Sequence, residues 1–214
     1  MSANRLAYRI AATAGTAALA ATALLAGGGS ASAALPTPIA ASTARSYLSG
    51  MTATAETHAS TYNRDLFPTW ITISGTCDTR EYVLKRDGSG VTTDSACKAT
   101  SGSWTSVYDG ATTTTASSFD IDHLVPLAEA WASGAWSWTT AQRQAFANDV
   151  TRPQLLAVSA SSNRSKGDRD PAEWLPRASY QCTYARAWVQ VKHYYGLSVD
   201  SAEKSKLSSI LSGC

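Results

Sequence analysis

The chain has 214 residues, with 18 lysines and arginines against 16 aspartates and glutamates. That length suits one domain with one core, and a formal charge of +2 excludes a binder relying on a basic field over its whole surface. Any chemistry must reside in a local site.

In chain order, Arg5 and Arg9 precede an Ala/Leu-rich stretch that reaches Leu25 and Ala26, and Ala31-Ser32-Ala33 has the small-x-small form of a cleavage site. Residues 1–33 therefore read as a secretory signal peptide. A membrane anchor competes, but Thr and Gly dilute the apolar stretch. The mature protein is expected to be secreted, extracellular, monomeric and without stable membrane association. Loss of the two arginines leaves 16 basic against 16 acidic residues. The basic ones are enriched after His123, which leaves room for a local patch.

Residues 34–60 read as an Ala/Pro/Thr-rich linker to about residue 44, with a short helix over about 45–55. The packed domain is expected over 61–214, opening on the aromatics of Tyr62 to Trp70. A helix is expected over 79–86. Residues 102–110 alternate like a strand ending in a turn, and 112–115 supply its partner, making a hairpin around Asp109-Gly110. Four cysteines, Cys77, Cys97, Cys182 and Cys214, fit an exported, disulfide-bonded protein. Of three pairings, Cys77 with Cys97 and Cys182 with Cys214 each close a local loop. Zinc competes, but there is no C-x-x-C pair.

Phe119-Asp120-Ile121-Asp122-His123-Leu124-Val125 alternates as well. In a regular strand Asp122 and His123 point to opposite faces, so for both to serve one site the strand must end or bulge there, and Pro126 follows directly. Helices are expected over about 127–133, stopped by Gly134, and from Thr139 to about 148, with Thr139 and Gln142 as a capping box. Residues 154–158 form a buried strand. Ser161 or Ser162 is the expected cap of a helical turn carrying Asn163. Helices over 180–195 and 201–212 follow, the second capped by Asp200 with Glu203. In the first, Tyr184, Trp188, Val191 and Tyr195 recur at core spacing.

Phosphodiester hydrolysis needs a base for water, a cation to offset phosphoryl charge and donors that hold the phosphate. A neutral imidazole at His123 suits the first role. The Asp122 carboxylate and the Asn163 amide oxygen are hard ligands suited to one Mg²⁺ or Mn²⁺ ion. Arg164 and Lys166 are placed to hold flanking phosphates. Plainer roles compete with these: a helix cap for Asn163 and solvated surface for the two cations. Asp168 and Asp170 read as caps for the turn at Pro171, and Arg80 either reaches the cleft or forms an ion pair.

D-H-L-V-P-L followed by S-x-x-N-R-S-K-G-D resembles the HNH (His-Me finger, ββα-metal) endonucleases, and more closely the secreted branch related to the C-terminal nuclease domain of GmrSD restriction enzymes. The resemblance spans roughly residues 63–176, with an extension to Cys214 left open, and is strongest over 122–168. It implies an α+β fold: a ββα-metal nuclease core with inserted helices, an N-terminal hairpin region and C-terminal helices. It also implies that His123 is the general base, that Asp122 and Asn163 are the metal ligands, and that nucleic acid, DNA first, is the partner. The family's middle asparagine, which steadies the histidine-bearing loop, falls at Gln154, and Asn148 is a rival for that role. This chain lacks the zinc-binding cysteine pairs of many relatives.

Two other functions compete. One is a catalytically inactive nucleic-acid or cell-wall binding protein on the same scaffold, supported by the departure at Gln154. The other is a glycosidase using Asp120 and Asp122, about 7 Å apart on one strand face; it leaves N-R-S-K-G-D unexplained.

Overall fold

The computed structural model describes Met1 and residues 35–214; apart from Met1, the segment read as a signal peptide lies outside the described residues. Helix α1, Ala41–Gly50, begins earlier than its sequence suggests. Ala44, Leu48 and Met51 fall at i, i+4 and i+7 and are buried against the C-terminal helices, and the Arg45 guanidinium donates to the Leu211 carbonyl at 2.7 Å. Part of the expected linker therefore belongs to the core, because three well-spaced apolar side chains suffice to bury a short helix.

Strands β1 (Thr72–Ser74) and β2 (Cys77–Asp78) form a small antiparallel ladder leading into helix α2, Thr79–Asp87. Asp78 and Glu81 close a capping box at its start. Next comes a three-stranded sheet of β3 (Ser89–Thr93), β4 (Ala99–Thr105) and β5 (Thr112–Thr113) in sequential order. The hairpin around Asp109-Gly110 is present, with Trp104 opposite Thr113, but β4 starts and ends earlier than its alternation implies. Strand β3 carries no clear sequence signal, since its Ser-Gly-Val-Thr-Thr sequence has a single apolar residue, Val91, which is half-buried against the α2-side cluster.

Strand β6, Phe119–His123, is followed by the inserted helices α3 (Leu127–Ala132) and α4 (Thr140–Ala147). The chain then returns as strand β7, Leu155–Ser159, antiparallel to β6. Helix α5, Ala160–Lys166, starts immediately after β7. Its cap is Ser159, whose hydroxyl accepts from the Ser162 amide, and neither Ser161 nor Ser162 takes that place. The helix therefore starts directly at the strand end and turns Asn163 back toward β6. Two long helices complete the chain: α6 (Ala178–Tyr195), ended by left-handed Gly196, and α7 (Ser201–Ser212), with the Asp200–Glu203 capping box.

The β6–β7 ladder separates two apolar clusters. Phe119, Ile121, Leu155 and Ala157 face α2 and Trp104, whereas Leu124, Leu156 and Val158 face the helical side with Tyr184 and Trp188. The architecture is α+β, with the β6-β7-α5 unit at its centre. The disulfides pair Cys77 with Cys97 and Cys182 with Cys214. Within the helical cluster, Lys192 is fully buried and paired with Glu129 at 2.5 Å and Glu203 at 2.8 Å.

Candidate active site

At the end of β6 lies a polar cavity of about 240 Å³ lined by Asp122, His123, Asn163 and Arg164, together with Arg64 and Asp168. The ladder stays in register up to His123 opposite Leu155, with no bulge. The strand simply ends there, and at an open strand end side chains from both faces border the same space. Asp122 approaches from the helical side and His123 from the α2 side.

His123 is almost completely buried, and its Nε2 lies 2.9 Å from the Ala147 carbonyl oxygen at the end of α4. A carbonyl only accepts, so Nε2 carries the proton and Nδ1 keeps the lone pair in the neutral ring. Burial depresses the imidazole pKa to about 3, against the pull of the Ala147 hydrogen bond, and the charges of Arg64 and Lys166 push it further down. The ring is therefore neutral at physiological pH. The Trp70 indole stacks over it, with centroids 5.5 Å apart and planes inclined by 22°.

The Asp122 carboxylate is also buried, with one oxygen accepting from the Tyr108 hydroxyl at 2.5 Å and the other from Lys166 Nζ at 2.9 Å. Burial raises its pKa, and the Lys166 charge with the Tyr108 and Lys166 hydrogen bonds oppose that rise. Lys166 Nζ also donates to the His123 carbonyl at 2.9 Å. This corrects the expectation that Lys166 contacts phosphate. The lysine is fully buried because it lies on the face of α5 turned toward β6, where the Asp122 charge compensates it.

Asn163 donates through Nδ2 to Asp120 at 3.2 Å, which leaves its amide oxygen as the acceptor. Arg164, on the same helix, borders the cavity. Arg64 lines the same cavity from a 3-10 turn whose Asn63 side chain accepts from the Asp65 amide. The sequence signal for Arg64 is weak: a polar N-R-D beside aromatic anchors says nothing about the cleft it faces. Asp168 borders the cavity and does not cap the following turn; Asp170 does, accepting from Ala172 N at 2.6 Å and Glu173 N at 3.2 Å. Arg80 donates to the Phe119 carbonyl at 3.0 Å.

The two candidates for loop support occupy different places. Gln154, fully buried, bridges both main-chain groups of Val125: Oε1 accepts from its amide at 3.1 Å and Nε2 donates to its carbonyl at 2.9 Å. Its own carbonyl accepts from Leu124 N at 2.7 Å. Asn148 does not touch that loop. Its side chain ties the end of α4 to Pro68, Ile71 and Thr79.

Asp122, Asn163 and Asp168 line one polar cavity and carry the oxygen donors that hard divalent cations take, and a carboxylate oxygen accepting one hydrogen bond, as both Asp122 oxygens do from Tyr108 and Lys166, retains a second lone pair.

Residues 79–210 match the family model described as GmrSD restriction endonucleases, C-terminal domain. A protein of Arthroderma benhamiae named "Uncharacterized secreted protein" is 59% identical over 184 residues, covering 84% of this chain and 90% of its own length. No solved structure matches.

Proposed function

Since the chain belongs to the family of the GmrSD restriction endonuclease C-terminal domain, a nuclease-like family, we propose that it is a secreted, divalent-metal-dependent endonuclease of the HNH type. Its two disulfides and its relative's name fit an extracellular protein. The observation that carries the reading is His123, with Nε2 on the Ala147 carbonyl, lining the same cavity as Asp122, Asn163 and Arg164.

In this reading Nδ1 of His123 takes a proton from water as the water oxygen forms a bond to phosphorus. The bond to the 3′ oxygen breaks, and solvent protonates that oxygen, leaving 5′-phosphate and 3′-hydroxyl ends. Asp122 and Asn163 would hold one Mg²⁺ or Mn²⁺ ion, which supplies positive charge to the phosphoryl and leaving oxygens. Arg164 and Arg64, both lining the cavity, hold the flanking phosphates. Lys166 and Tyr108 favour the charged form of Asp122 against its burial and fix its orientation. Gln154 serves as the middle residue that steadies the loop after His123. The substrate is DNA and the acting unit a monomer.

The test is digestion of plasmid DNA by the purified protein lacking residues 1–33, with Mg²⁺ or Mn²⁺ and with EDTA. Cleavage is expected to need the metal and to fall about 10²- to 10⁴-fold in His123→Ala. Equal rates for wild type and His123→Ala reject the reading. Tight DNA binding without cleavage would favour the inactive binding protein.

A further inference from the structure

We propose that Trp70 is a positioning residue for His123, and that the Asn148 side chain sets both Trp70 and the Ala147 carbonyl around the imidazole. The inference rests on His123 acting as the base. A ring held by one hydrogen bond can still rock about it, and rocking swings Nδ1 away from the water it must deprotonate. The indole of Trp70 lies over the ring face at 5.5 Å and 22°, which blocks that motion. The backbone of Trp70 is left-handed, with φ of 56°, a conformation that side-chain-bearing residues rarely adopt unless their surroundings impose it.

Asn148 imposes it. Its Nδ2 donates to the Pro68 carbonyl at 2.7 Å and its Oδ1 accepts from the Ile71 amide at 3.2 Å, so the segment carrying Trp70 is gripped on both sides. The same oxygen accepts from Thr79 Oγ1 at 2.8 Å, and Nδ2 also donates to the Gln144 carbonyl at 2.8 Å. Thr79 in turn donates through its main-chain amide to the Ile71 carbonyl at 3.0 Å. Asn148 directly follows Ala147, whose carbonyl holds Nε2 of His123. One buried amide thus registers the acceptor at the edge of the imidazole and the indole over its face.

The experiment compares Trp70→Leu and Trp70→Phe with wild type in steady-state DNA cleavage, with thermal melting in parallel. Trp70→Leu is expected to lower kcat by about 10- to 100-fold with KM within about twofold. Trp70→Phe, which restores a ring face, is expected to recover most of kcat. An unchanged kcat in Trp70→Leu, or equal losses in both variants, overturns the proposal. Should Trp70→Leu fail to fold, Trp70→Phe is set beside Asn148→Asp, which keeps the acceptor and loses the amide donor. A kcat loss in Asn148→Asp exceeding that in Trp70→Phe supports the clamp, and wild-type kcat in Asn148→Asp overturns it. A separate arm adds free imidazole to His123→Gly with and without Trp70→Leu. Equal rescue in both counts against the clamp while leaving the base intact, whereas His123→Gly cleaving as fast as wild type removes the base reading itself.

Discussion

The Lys166 ammonium lies 2.9 Å from Oδ1 of Asp122 and 2.9 Å from the main-chain oxygen of His123. One buried cation thus neutralises the carboxylate and anchors the backbone of the neighbouring histidine. Removing it leaves the Asp122 charge buried without its partner. Lys166→Met is expected to destabilise the fold by about 3 to 5 kcal/mol in urea denaturation. A loss near zero would mean that Tyr108 alone satisfies Asp122.

Gln154 gives Val125 both a donor and an acceptor in a fully buried setting. Gln154→Leu keeps the volume and strands both main-chain groups, at a cost of about 1 to 3 kcal/mol each if neither finds a new partner. Gln154→Asn is shorter and should reach only one. Hydrogen exchange at the Val125 amide is the direct readout, and unchanged protection in Gln154→Leu would remove Gln154 from its supporting role.

Arg64 and Arg164 border the cavity from different elements. If both contact phosphate, each alanine variant weakens DNA binding across sequences and lowers the slope of log affinity against log salt by roughly 1. Binding of catalytically disabled His123→Ala protein to a short duplex at several salt concentrations measures this. An unaltered slope in Arg64→Ala would assign that residue to structure alone.

Acidic groups around Lys192 give stability a pH dependence. Partial cover at a surface-exposed position, with Glu129 beside it, raises the Glu56 carboxyl to about 8, and full burial raises Glu203 to about 7 despite the Lys192 charge. In the unfolded chain both titrate near 4.5. Between that value and about 8 the folded form binds more protons, so stability falls as pH rises. His123 acts in the opposite sense only between about 3 and 6.5. From about pH 6.5 to 8.5 the melting temperature is therefore expected to decline, and Glu56→Gln to flatten the decline. An identical decline in that variant would refute the assignment to Glu56.

The Cys182–Cys214 bridge joins α6 to the end of the chain across a separation of 32 residues. Replacing both with serine frees that loop in the unfolded state and is expected to cost roughly 3 to 4 kcal/mol. Guanidinium unfolding under oxidising conditions, with the Cys77–Cys97 bridge kept, gives the comparison.

What sequence determined by itself was local in physical origin. The capping boxes at Thr139 and Asp200 and the left-handed stop at Gly196 are visible because each depends on residues within one helical turn. The two-residue period of β6 placed Phe119 and Ile121 opposite Asp120 and Asp122, and showed that Asp122 and His123 could meet in one cavity only where the strand stops or bulges. Tertiary structure decided the rest. Whether Lys166 meets solvent phosphate or a buried carboxylate depends on which face of α5 packs against β6. Whether Gln154 or Asn148 supports the histidine loop depends on which backbone each amide reaches. The places of Arg64 and Trp70 at the site, and of α1 in the core, likewise come from surfaces that only the folded chain brings together. A side chain's charge is written in the sequence, but its dielectric surroundings and partners are supplied by residues far along the chain.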